Sequence, residues 1–502
     1  MRKQMKNLFC VIFVFVLIFS ALSSLSSCAS DNPENTESKA DNIAGENEET
    51  EEPDPKARLP FEPAIIDLGG RDFTFADCGW WGYTEYEQWD VISEEENGET
   101  INDAVYARNM VVMDMFNCNI AEQKYSDPSA MLTGIQKSVK AGDNVFDAVY
   151  TRFSFLSSFI TGSLLLDLKT LPHIDLAQPW WDQNCVSKTT INHRLFAVTG
   201  DIQILDKGSI NAFVFNKQLQ ADYQIEDLYS LVKSGKWTLG KMLEISKLIS
   251  VDLNGDGKMD ENDRYGLLYY RDSIPAFLAA TDEYIARKDE NDLPYMSFNS
   301  EKVYNALEAI YDVIYDENVA FHTMRAFGDT GFVPEGTKMF QNSQALLYYI
   351  RMVEIEPLRG MDTDFGILPF PKYDEAQKNY LSLVNASVGS ALSVPVSADP
   401  EISGAVLEAM AYESRYTLFP AYYEVMLKTK ISRDSDSEDM LNIIFSNMTY
   451  DLGGVYSFGG IDGELMYHTM DLKRTMASFY EKNEGKAQKD IDKLVTAILA
   501  MD

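Results

Sequence analysis

The polarity of the chain changes three times within its first 58 residues. Arg2, Lys3 and Lys6 precede the apolar run LFCVIFVFVLIF from Leu8 to Phe19, and the small-residue stretch SALSSLSSC ends at Cys28. Charge, apolar run and small residues in that order predict an export signal over 1–27. The run is shorter than the roughly 20 residues of a membrane-spanning helix. Over 28–58 the chain is acidic and almost without large apolar residues, as in SDNPENTESKADNIAGENEETEEPDPKAR. Such a segment cannot bury a core and is expected to be a disordered tether.

From Leu59 onward, short β-rich runs alternate with helical periodicity. RDFTFADC, CNIAEQKY and NVFDAVY read as strands. Between the first two, Ile101, Val105, Met110, Val112, Met113 and Phe116 recur at helical spacing, and AMLTGIQKSVKAG reads as a second helix. This β-α-β-α-β order predicts parallel strands joined by right-handed crossovers. FAVTGDIQ and SINAFVFNK are further β runs. WTLGKMLEISKLISV reads as an amphipathic helix with Thr238 as its N-cap. Helical blocks at KVYNALEAIYDVIYDE and EISGAVLEAMAYESRY bracket three more β runs, QALLYYIRM, DFGILPFPK and SVGSALSVPV. The alternation predicts an α/β fold.

Charge narrows the function classes. A formal net charge of −35 leaves no basic excess to displace counterions from phosphates, so nucleic acid is excluded as a partner. Chemistry-bearing motifs are few. His173, His193, His322 and His468 form no HxxE or HExxH pair, and there is no GxSxG, P-loop or GxGxxG after a strand. A hydrolase would have to work through a pair of carboxylates, whose separation a sequence does not show. Cys78, Cys118 and Cys185 have no CxxC or metal-like spacing, which leaves one disulfide plus a thiol, or three buried thiols.

One motif does stand out. In DLNGDGKMDENDRYG, Asp252, Asn254 and Asp256 fall at positions 1, 3 and 5 of an EF-hand-type loop, with Gly257 at the turn. Lys258 would offer its carbonyl, Asp260 a water-mediated contact and Asp263 the twelfth position. Calcium takes six to eight oxygens, which this spacing can wrap around one ion. Strand-like residues follow the loop, so a structural calcium clip is expected rather than a sensor; the alternative is a solvated turn.

Local phrases then carry a resemblance. Leu25-Ser26-Ser27-Cys28 resembles the bacterial lipobox, which would make Cys28 the acylated residue. NGETINDAVYARN, VFDAVYTR with LLLDLKTLP, SINAFVFNKQL, LYSLVKSGKWTLGKMLEISKLI, VDLNGDGKMDENDRYG, DFGILPFPK and FPAYYEVMLKTKISRDSDSEDML occur in an order that resembles the extracellular solute-binding lipoproteins of bacterial ABC transporters. The likeness is to the sugar-type family 1 of clostridial and other Gram-positive bacteria, over some 400 residues. It implies a two-lobed, periplasmic-binding-protein-like Venus flytrap of type II with a ligand cleft between lobes. Lobe 1 would comprise 59–205 and 338–392, and lobe 2 would comprise 206–337 and 393–502, carrying the loop 252–263. Crossings are expected near Gly200–Asn211, Met339–Leu347 and Ser390–Pro395. The implied protein is a lipid-anchored monomer on the extracellular face of the cell membrane, capturing a carbohydrate, expected to be an oligosaccharide, for a permease. Alternatives are a secreted carbohydrate-active hydrolase and a calcium-stabilised adhesion module.

Sugars present flat C–H faces with hydroxyl rims, so the expected contacts are aromatic planes and bidentate polar groups. Trp80 and Trp81 follow the first strand as platform candidates, and Arg152 follows the third, where open α/β sheets bind ligands. Asp201 and Gln203 lie near the first crossing; Tyr348, Tyr349 and Arg351 lie near the second. Trp180 and Trp181 are expected to pack in a hydrophobic corner, and Trp237 at the start of its helix.

Overall fold

The computed structural model describes residues 58–501 apart from Trp81, 429–434, 473 and 474, so the export signal, Cys28 and the tether lie outside the described residues. Arg58 to Asp502 forms one compact unit. Its two principal sheets define two lobes.

The first sheet has Asp72–Cys78 at its centre, flanked in parallel by Asn119–Tyr125 and Ala148–Arg152; Ser390–Ser393 runs antiparallel beside the latter. The helices between these strands begin where the sequence supplies caps. The Glu99 carboxylate accepts from the Ile101 and Asn102 amides at the start of Thr100–Phe116. Asp127 caps Pro128–Ala141, and Gly142, at φ 67°, ends it in the left-handed region that favours glycine.

The second sheet repeats the plan. Tyr265–Tyr269 is flanked in parallel by Ala320–His322 and Ala345–Arg351; Asn211–Asn216 runs antiparallel next to Ala345–Arg351, and Phe365–Leu368 completes the edge. In each sheet the antiparallel strand is the one that has just arrived from the other lobe. Thr238 caps Leu239–Ile249 as expected, accepting from the Lys241 amide.

The first crossing lies at Gly200–Asn211, where the resemblance implies it, between Val198, which bridges Leu392, and Asn211 of the second sheet. The second does not. Ala345–Arg351 and Phe365–Leu368 belong to the second sheet, so the segment 338–392 is divided, and the chain returns only after Val384, which bridges Ile210. Helix Pro400–Tyr416 then packs on Thr100–Phe116 in the first lobe, while Ser435–Ser446 packs on Phe365–Leu368 in the second. The expected assignment of all of 393–502 to lobe 2 is therefore also divided. Fully buried strands read alike whichever sheet they join, because both faces are apolar. FAVTGDIQ is not a strand; it makes only the bridges Val198–Leu392 and Trp181–Gly200. Gly200 is required there, since a Cβ would sit 2.3 Å from the Trp180 carbonyl oxygen.

Cys78, Cys118 and Cys185 are three buried free thiols. No helix among the described residues is long and apolar enough to cross a membrane.

Candidate functional site

The strand ends of the two lobes meet at a seam. After Asp72–Cys78 the chain makes a short turn of helix, Thr84–Tyr86; after Ala345–Arg351 it makes another, Met352–Gly360. Tyr86 from the first turn donates its hydroxyl to Glu354 Oε1 at 2.7 Å and accepts from Arg351 Nη2 at 2.6 Å. Tyr270, just past Tyr265–Tyr269, donates to Glu354 Oε2 at 2.7 Å. The Arg351 guanidinium lies 4.5 Å from the Tyr86 ring centroid and reaches Asp272 at 3.4 Å. All of Tyr86, Tyr270, Arg351 and Glu354 are buried. Burial, with the Glu354 charge beside it, pushes the Tyr86 phenol well above its ordinary value. Charge-assisted bonds thus tie the lobes together through one tyrosine.

The residues singled out by sequence divide at this seam. Arg351 is at its centre. Trp80 is half-buried beside it, packed against Tyr86, Leu205 and Val388, with the Arg152 guanidinium 5.6 Å from its ring centroid. Trp81 lies outside the described residues. Arg152 is fully buried, and it donates to the carbonyls of Cys78 at 3.1 Å, Tyr86 at 2.6 Å and Val388. Its guanidinium holds the turn that carries Tyr86 rather than facing open space.

The others are drawn away. Asp201 pairs with Arg415 at 3.1 Å, and Gln203 is buried with its amide on the Ser390 carbonyl at 2.7 Å, so both brace the crossing. Tyr348 and Tyr349 point to opposite faces of their strand and are both buried in the second lobe. The Tyr349 hydroxyl donates to Asn211 Oδ1 at 2.6 Å. Trp180 and Trp181 are buried, their indole N–H groups sharing the Glu408 carboxylate at 3.0 and 2.9 Å. Trp237 is buried and donates to the Pro369 carbonyl.

Two hollows open along the seam. A groove of about 570 Å³ is lined from both lobes: Glu85 and Trp89 from the first, Glu356 and Arg359 from the second, with Leu205 of the crossing and Tyr422 between them. Trp89 is 46% exposed. The groove lies in the size range of small-molecule pockets. A second recess, of about 20 Å³, is lined by Asp272, Asn385, Ser387, Asp451 and Asp462 among others. Burial pushes the Asp462 carboxyl up to about 7 and the Asp451 carboxyl up to about 6. Sequence reasoning missed Tyr86, Trp89, Asp272, Glu354 and Asp462. Trp89 was within reach, since it closes the aromatic loop GWWGYTEYEQW.

The loop Asp252–Asp263 is tied to itself. Asp252 accepts from the Gly255 and Gly257 amides, Asn254 from Asp256, and Asp256 from Lys258. Buried Asp263 accepts from Leu253 and Asp260 at 2.9 Å each. These bonds wrap the loop on itself. Among the described residues, however, no three His, Cys, Asp or Glu side chains converge as a metal site. An ion here would draw on Asn254 and on the Lys258 carbonyl as well.

No protein-family model and no curated protein matches this sequence. Solved structures do match in shape. The ABC substrate-binding protein Lmo0181 from Listeria monocytogenes, in complex with cycloalternan, aligns with a TM-score of 0.51 and 12% identity over 86% of this chain and 99% of that one. The sugar-binding protein MalE from Xanthomonas citri aligns with a TM-score of 0.55 and 12% identity over 86% and 99%. The galacto-N-biose-/lacto-N-biose I-binding protein of a Bifidobacterium longum ABC transporter, in complex with lacto-N-biose, aligns with a TM-score of 0.56 and 12% identity over 85% and 98%. The doubled sheet plan, the crossings and these alignments together give this chain the two-lobed α/β fold of the MalE-like solute-binding proteins.

Proposed function

We propose that the protein captures a carbohydrate in the seam between its lobes and passes it to a membrane permease of the ABC type. The observation that carries this reading is the seam itself: both sheets turn their strand ends toward it, and it holds a groove lined from both lobes. Trp89 offers an aromatic plane there, and Glu85, Glu356 and Arg359 offer bidentate partners for hydroxyls. Opening and closing would be a hinge motion of two rigid lobes about the crossings. The structural neighbours are binding proteins for sugars, which supports the same reading.

Acylation of Cys28, with the acidic stretch 28–58 as spacer, would hold the protein at the outer face of the membrane. Calcium in the loop Asp252–Asp263 would stiffen the second lobe without touching solute. Calorimetric titration of residues 58–502 with mono- and oligosaccharides tests the reading: a sugar should bind, and Trp89→Ala should weaken it at least tenfold. Heat from no sugar in the panel would refute carbohydrate capture.

A further inference from the structure

The small recess and the large groove differ in charge. The groove has Arg359 among its lining residues, whereas among the described residues no Lys, Arg or His lines the recess. Its three carboxylates are satisfied to different degrees. Asp451 accepts from the amides of Ile285 at 2.8 Å, Ala286 at 3.2 Å and Gly453 at 2.8 Å. Asp272 has Arg271 and Arg351, each at 3.4 Å. Asp462, the second residue of helix Ile461–Met470, is 8% exposed and lines the recess. Among the described residues no side chain bonds to or pairs with its carboxylate; the Gly463 amide and its own amide, at the helix start, favour its charge.

Taking a carboxylate this far out of water without a cation is unfavourable, and two more acids beside it add to that cost. Water would fill the volume, since about 20 Å³ holds one group of that size, but water brings no charge. A protonated primary amine is of similar size, carries three N–H donors and supplies the missing positive charge.

We infer that this recess is the seat of one protonated primary amine, with Asp462 as its counter-ion and Asp272 beside it, so that the solute taken here is an amino sugar or another small amine. The amino-sugar arm rests on the carbohydrate reading; the amine seat does not. Asp272 also touches Arg351, so an amine in the recess would sit one contact from the bond that ties Tyr86 to the second lobe.

The test is thermal unfolding of the full-length protein with glucosamine, N-acetylglucosamine or methylammonium chloride, each against sodium chloride at matched ionic strength. Glucosamine should raise the melting temperature, N-acetylglucosamine should bind at least tenfold more weakly, and Asp462→Asn, which keeps the shape and removes the charge, should abolish the glucosamine shift. A methylammonium shift, also lost in Asp462→Asn, with none from either sugar would support the seat and remove its amino-sugar arm. Equal shifts from both sugars would overturn the seat while leaving carbohydrate capture intact, and this comparison needs no variant. The seat is overturned as well if Asp462→Asn keeps the shift, if sodium chloride alone reproduces it, or if neither amine acts.

Discussion

Tyr86→Phe removes one oxygen from the seam, and its cost can be worked out from the contacts. That oxygen donates to Glu354 at 2.7 Å and accepts from Arg351 at 2.6 Å, with all three side chains buried. Hydrogen bonds to charged groups contribute about 1.5–3 kcal/mol. Glu354 keeps the Tyr270 hydroxyl at 2.7 Å and the Arg351 Nε at 2.8 Å in the variant, so the loss should be about 2 kcal/mol rather than the sum of two bonds. Glu354→Gln removes the charge opposite Arg351 and leaves that guanidinium with Asp272 at 3.4 Å, which should cost about 3–5 kcal/mol as for a broken buried pair. Because the Tyr86 bond is counted in both variants, the double variant should fall short of additivity by about 1–3 kcal/mol. Urea unfolding of the four proteins measures this, with a shifted midpoint at unchanged slope reading as stability. Additivity within about 0.5 kcal/mol would refute the tie between the lobes.

Three further outcomes follow from the structure. Asp252→Ala with Asp256→Ala removes amide bonds within the loop and should lower the melting temperature in chelator, but more so in calcium; equal loss in both would show that the loop holds no ion. The Asp462 and Asp451 carboxyls are raised in the folded state to about 7 and about 6 from an ordinary 3.8, so their stabilising effect is full at pH below that ordinary value. It is lost as the pH rises through the folded values. The protein should therefore melt lower at pH 8 than at pH 5, and a higher melting temperature at pH 8 would contradict it. In helix Pro400–Tyr416, Gly404→Ala would place a Cβ 1.9 Å from the Pro172 carbonyl oxygen, and overpacking of that kind should cost about 1–3 kcal/mol. An unchanged melting temperature would refute that contact.

Much of the local structure is written in single residues. Thr238, Asp127 and Gly142 mark helix ends because a side-chain oxygen or a missing Cβ acts on the next few amides, within the reach of the sequence itself. The parallel β-α-β-α-β order of the first lobe follows from spacing, as does the α/β class.

Lobe membership is different. Ala345–Arg351 and Ser390–Ser393 are both apolar runs, and only the register of their backbone bonds shows that one pairs with Tyr265–Tyr269 and the other with Ala148–Arg152. The same limit governs the site. Arg152 and Tyr349 looked fit to meet a solute by residue type, yet the fold uses the first on three carbonyls and the second on Asn211. Asp462, one acid in a chain with 78, gained its meaning from burial and from the absence, among the described residues, of a cation beside it. The sequence by itself determined most of the elements, the Thr238 cap and the α/β alternation, since these depend on neighbours along the chain. Tertiary structure alone decided which strands share a sheet, and which polar groups are satisfied and which face a hollow, because those depend on residues hundreds of positions apart.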